Sequence, residues 1–180
     1  QLSRGRALLG VGIGWLREEF EALGVAFEER APRTEESVRA IRSLWRGAEP
    51  FEGRFYRWGP LESNPKPVQQ GGVPVLVGGH VEGAARRAAR IGDGFFPGTS
   101  DRELLAKLLA ALRDECARHG RDPAEIELTV GARGDFEAGE VAALEELGVS
   151  RIVIGPPGFD PEALRRGLSE FGDRVIAKHT

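Results

Sequence analysis

Residues Gly10 to Phe20 read GVGIGWLREEF. A short apolar run, Leu8–Val11, leads into three alternating glycines, Gly10, Gly12 and Gly14, and then Trp15 and a charged segment. Bare backbone at the end of a strand serves one of two ends. A nucleotide phosphate lies against it, or it is a tight strand-to-helix turn. A dinucleotide fingerprint needs a third glycine further on and an acid about 20 residues later. Trp15 follows Gly14 directly, so the stretch does not fit that pattern.

The same rhythm returns along the chain. Apolar runs at Leu8–Val11, Val73–Val77, Gly94–Phe96, Ile126–Val130 and Arg151–Ile154 each stop at glycine or proline. Short continuous runs suit strands buried on both faces of a parallel sheet. Helical patterns alternate with them. Thr34 is placed to cap a helix that ends at Trp45, with Gly47 beyond it. A helix after Gly79 carries Val81, Ala84, Ala85, Ala88 and Ile91, with Arg86, Arg87 and Arg90 on a solvated face. Ser100 to Glu103 has the form of a capping box, opening a helix that ends near Gly120. Glu137–Leu147 and a helix capped by Asp160 complete the series. Five strand–helix units with right-handed crossovers define an α/β fold. Either a (β/α)8 barrel or a doubly wound sheet satisfies this pattern. Residues 48–72, with Phe51, Phe55, Tyr56 and Trp58, break the rhythm. They read as an insertion, either a lid over a pocket mouth or a plain surface hairpin.

With 180 residues, 41% apolar and 29% charged, the chain has the composition of one globular domain. A formal charge of −3 without a long basic run gives no footprint for nucleic acid. No run reaches the roughly 18 apolar residues of a membrane span, and no secretory leader is read. Cys116 is the single cysteine, which fits a reducing cytoplasm. His80, His119 and His179 lack ligand spacing, so no metal is expected. The chain starts with Gln and holds no Met, which raises the expectation of a missing N-terminal part.

Taken together, these pieces resemble the luciferase-like flavin and deazaflavin oxidoreductases, in particular their F420-dependent branch. The matching stretches are GVGIGWLREEFEALGVAFEER, TEESVRAIRSLW, FEGRFYRWGPLESNPKPVQ, VPVLVGGHVEGAARRAARIGDGFFP and a GRDP turn at Gly120–Pro123, in the family's order. The resemblance implies a (β/α)8 barrel of which this chain supplies strands 4 to 8, with residues 48–72 as the insertion after the fourth helix. Missing units would leave two open sheet edges, and a homodimer is expected. The implied chemistry is two-electron transfer on coenzyme F420, or on FMN in sister branches, with a small-molecule substrate. A catalytically silent remnant is the third reading.

Within the resemblance, Gly78, Gly79, His80 and Val81 are similar to the family's cofactor-phosphate turn. The helix start there offers free N–H groups and a favourable dipole; a tight turn without a ligand is the alternative. Gly12, Gly14 and Trp15 join the expected cofactor set, Trp15 lining the cavity or packing on the insertion. Ile13 stands where the luciferase branch is similar to an arginine that holds flavin phosphate, which favours F420. His80 is the catalytic candidate, as a proton-transfer group or else a structural polar side chain. Asp93 reads as structural. Arg133, Asp135 and the Gly155–Gly158 loop follow later strands and so fall at the catalytic end of a barrel. Arg133 is read either as a contact to the cofactor's anionic tail or as a surface charge, and Lys66 on the insertion is read the same way.

Overall fold

A computed structural model of the chain describes residues 2–99, 101–132 and 137–178. Strand β1 (Leu9–Val11) is followed by a short helix α1 (Arg17–Ala22) and a long one, α2 (Arg30–Arg46). A hairpin of β2 (Phe51–Glu52) and β3 (Arg57–Trp58) comes next. Then strands and helices alternate: β4 (Val75–Gly78), α3 (Glu82–Ile91), β5 (Gly94–Phe96), α4 (Arg102–Arg118), β6 (Glu127–Ala132), α5 (Ala138–Glu145), β7 (Val149–Ile154) and α6 (Pro161–Arg174). Five strands form one sheet in the order β1-β4-β5-β6-β7, every pair parallel. All five apolar runs therefore become strands, and all five carboxyl ends emerge on one edge.

Helices cover one face of this sheet. Val75, Val77, Phe95, Leu128 and Val130 point into a core with Ala84, Ala85, Ala88 and Ala89 of α3 and Leu105, Leu108, Leu109 and Leu112 of α4. The alanines let α3 lie close on the sheet, and α4 packs across it. The other face differs from the expectation of strands buried on both sides. Among the described residues the sheet does not close on itself. The alternate side chains, Leu76, Phe96, Thr129 and Val153 among them, face an open cavity, and Val153 is 48% exposed.

Local signals were partly misplaced. Helix α2 begins at Arg30, four residues before Thr34, since Pro32 is tolerated in a first turn. The Thr34 hydroxyl donates back to the Arg30 carbonyl instead of capping (2.8 Å). Ser100 lies outside the described residues; Asp101 caps α4, its carboxylate accepting from the Leu104 N–H (2.7 Å). Val81 is the residue before α3 and is 55% exposed, not part of the helix core. Lys66 is a clamp at the far end of α2, its Nζ donating to the Leu44 and Gly47 carbonyls (2.9 and 3.4 Å). It therefore sits away from the strand carboxyl ends. Asp93, just before β5, accepts from Arg42 (2.6 Å) and from the Val75 N–H (2.8 Å), tying α2 to β4 on the edge opposite the strand ends. No helix among the described residues is long and apolar enough to cross a membrane.

The hairpin docks on α2 through a buried carboxylate. Glu36 is 3% exposed and accepts N–H bonds from Arg54, Phe55 and Tyr56 (2.9, 2.7 and 2.8 Å). Burial pushes its pKa up, but the three N–H donors outweigh that and hold the carboxyl below its usual range. The Tyr56 hydroxyl also accepts from Ser37 (3.0 Å), and Arg33 lies over the Phe55 ring.

Two outcomes are expected. Leu108→Ala, at a fully buried position, should lower stability by about 2–5 kcal/mol in urea denaturation; a loss below about 1 kcal/mol would contradict the core assignment. Because Glu36 has a depressed folded pKa, its contribution is complete above the unfolded value of about 4.3 and fades as pH falls through the folded one. Hydrogen-exchange protection of residues 54–56 should drop in that acidic window, and Glu36→Gln should show low protection already at neutral pH. Equal protection in both proteins would refute this anchoring.

Candidate functional site

Parallel pairing sets the site. Val11 pairs with Val77 and Gly78 with Phe96, so the loop after β1 and the turn after β4 leave the sheet side by side. A cavity of about 370 Å³ opens between them. Gly12, Gly14, Trp15, Gly78, Gly79, His80 and Val81 all line it, with Ile13, Gly83, Ala84 and Arg87. The cofactor-binding residues expected from sequence are thus brought around one space at the carboxyl edge of the sheet.

Two glycines are required by geometry. Gly79 has φ +145°, and a Cβ there would stand 2.7 Å from the Ala84 Cβ. Gly14 has φ +77°, and a Cβ would meet the Phe20 ring at 2.8 Å. The Gly79 N–H is occupied, donating to the Phe96 carbonyl (3.0 Å). The amides of the helix start therefore begin one residue later than the bend. Ala84 and Ala85 N–H groups both donate to the Val81 carbonyl (2.9 and 3.3 Å). Among the described residues, no partner accepts from the His80, Val81, Glu82 or Gly83 N–H. With the positive end of the α3 dipole, these free donors have the geometry and polarity that suit an anion. Glu82 does not oppose an anion at close range, since its carboxylate turns to Arg86 (2.6 Å).

Arg87 is the residue that sequence reasoning missed. It was read as solvated, yet it is 5% exposed and forms part of the cavity wall. Its Nε is buried without a hydrogen bond, 3.5 Å from Glu35 Oε1. Glu35 is engaged more closely by Arg90 (2.5 Å), which also binds Glu115 (2.7 Å). Burial lowers the pKa of Arg87 and Glu35 only partly offsets this; the hydrogen bond that Arg90 donates to Glu35 holds Arg90 above its ordinary value. Arg90, too, is thus an interhelical tie and not a free surface charge. The signal for Arg87 was its place among alanines on α3, on the face that packs inward.

Two further cavities adjoin. One of about 410 Å³ lies on the open sheet face, lined by Leu8, Gly10, Val11, Leu76, Phe96 and Val153, with Thr129 and Arg151. It shares Gly12 and Gly78 with the first. The other, about 350 Å³, lies between the β1 loop and α2 and shares Gly12, Ile13 and Gly14. His80 is exposed and lines the first cavity but not the apolar one. Trp15 is 83% exposed on the cavity rim. Gly155–Gly158 follows β7 at the same edge but lines none of these three cavities, nor does the hairpin. Arg133, Asp135 and His179 lie outside the described residues. Among the described residues no three His, Cys, Asp or Glu side chains gather as metal ligands.

Known proteins are similar to this chain in sequence and in fold. An uncharacterized protein of Mycobacterium tuberculosis is 35% identical over 96% of the chain and 62% of its own length. The F420-dependent glucose-6-phosphate dehydrogenase of Rhodococcus erythropolis is 34% identical, over 78% of the chain and 43% of its own length. The FMNH2-dependent dimethylsulfone monooxygenase of Pseudomonas putida is 31% identical, over 100% and 51%. The chain thus spans less than two thirds of the length of these relatives. An F420-dependent secondary alcohol dehydrogenase, solved with an F420–acetone adduct, superposes with a TM-score of 0.79 at 18% identity, covering 98% of the chain and 71% of that structure. This supports the fold as an open part of a (β/α)8 barrel. The family model for luciferase-like monooxygenases matches residues 1–169, and the chain belongs to that family.

Proposed function

We propose that the chain is the cofactor-holding part of an F420-dependent luciferase-like oxidoreductase acting on a small organic molecule. One observation carries this reading: an apolar cavity on the sheet face runs beside a second cavity lined by the free helix-start amides and Arg87. The residues fit such a group. Arg87 lines the cavity with a buried Nε that makes no hydrogen bond and only a 3.5 Å ion pair to Glu35, and the Gly79 bend leaves backbone where a Cβ would clash. The His80–Gly83 amides and Arg87 would hold the phosphate. Leu76 and Phe96 would receive the flat ring, and Trp15 would shield its edge from water. When bound, the deazaflavin supplies hydride transfer; the protein supplies placement and electrostatics.

His80 is assigned here to the anion end. A proton-transfer role would require it to reach the apolar cavity, which it does not line. FMN is the second reading. Ile13 brings no cation, but Arg87 brings one from another helix, so a flavin phosphate is also accommodated. The FMNH2-dependent relative points the same way. Self-association belongs to the proposal as well, since β1 and β7 are the edge strands of the sheet and open edges pair readily.

Fluorescence titration of the full chain with F420 and with FMN tests the reading. F420 should bind more tightly than FMN. Arg87→Gln should weaken both by about tenfold or more, the cost of losing a charged hydrogen bond. Glu35 keeps Arg90, so the helices should stay packed and circular dichroism unchanged. Tighter FMN binding would favour the monooxygenase reading; no binding of either would leave the silent remnant.

A further inference from the structure

The third cavity has its own chemistry. Arg30 and Arg33, one turn apart on α2, line it with Phe20, Thr34 and Ser37. Each guanidinium carbon lies over an aromatic ring, Arg30 over Phe27 at 3.8 Å from its centre and Arg33 over Phe55 at 4.3 Å. Neither is saturated. Arg30 donates once, to the Phe27 carbonyl (2.9 Å), and Arg33 once, at 3.4 Å, to Glu29. Each guanidinium has five N–H donors, and both Nε atoms are buried without a partner. Glu19 is the opposing carboxylate on the same wall. Glu29 is divided between Arg33 and Arg54.

The three cavities stand in series along Gly10–Gly14. The apolar one shares Gly12 with the Arg87 cavity, which shares Gly12, Ile13 and Gly14 with the third. Their character changes in order, from apolar, to one buried cation with helix amides, to two stacked cations. We infer that Arg30 and Arg33 form a second anion subsite, which takes a carboxylate carried beyond the phosphate of the cofactor. This rests on the proposed function and sharpens it. FMN ends at its phosphate and would leave the subsite unused. F420 continues through a lactyl group into glutamates, whose carboxylates suit planar two-point recognition by arginine.

Binding measured by deazaflavin or flavin fluorescence provides the test, with the full chain and three ligands: F420 with its glutamates, F420 cut back to the phosphate without the lactyl group and its carboxylate, and FMN. The glutamylated form should bind about tenfold tighter than the cut-back form, and the gain should shrink as salt rises. Arg30→Gln and Arg33→Gln should each remove most of the gain while leaving the cut-back form and FMN unchanged. That constancy reports an intact fold and first site. Arg33→Lys, with charge but no fork, should recover part of the gain. Equal affinity for both forms of F420, or a gain that survives both substitutions, would overturn the subsite while leaving the proposed function standing. Failure of all three ligands to bind would instead overturn the proposed function, and the subsite with it.

Discussion

Parallel pairing of β1, β4 and β5 is the constraint on which the rest depends. It delivers two glycine-rich chain ends to one edge, Val11 beside Val77 and Gly78 beside Phe96. The bond from the Gly79 N–H to the Phe96 carbonyl then fixes where the turn leaves the sheet. Helix α3 must start close by, because Ala84 is packed against Gly79 with no room for a Cβ. The open amides and the place of Arg87 on the cavity wall follow from that start, as by-products of tight strand–helix packing.

Charge is distributed across this frame unevenly. Glu35 reaches from α2 toward both Arg87 and Arg90, and Arg90 takes the shorter contact. Glu115 of α4 is in turn shared by Arg90, Arg118 and His119. Acid and base are well matched around Arg90, whereas Arg87 shares Glu35 at the longer distance of 3.5 Å and keeps a buried Nε without a hydrogen bond. Burying a cation in this way is costly unless something pairs with it. Glu35 meets that need only in part, and an anionic ligand in the adjoining cavity, as proposed, would complete it.

What was legible in the sequence was local. Strand-length apolar runs ended by glycine gave the five strands, and GGHV and GVGIGW marked the turns because backbone permissiveness is written in the residue type. Family resemblance supplied the rest of the architecture. What depended on tertiary partners was not legible. Arg87 looked like its neighbours Arg86 and Arg90 until α2 brought Glu35 alongside. Lys66 looked like a free cation on an insertion, but its role is to hold the carbonyls at the end of α2. Thr34 had the right chemistry for a cap, yet the helix already ran through it. The half-open inner face was hidden too, because a strand buried under helices on one side reads the same whether or not its sheet closes.

A crystal structure of the full chain with bound F420 addresses the central claim most directly. The account requires the phosphate within hydrogen-bond distance of the His80–Gly83 amides and the Arg87 guanidinium, with the ring over Leu76 and Phe96. A phosphate bound elsewhere, or a ring at the amino ends of the strands, would contradict it.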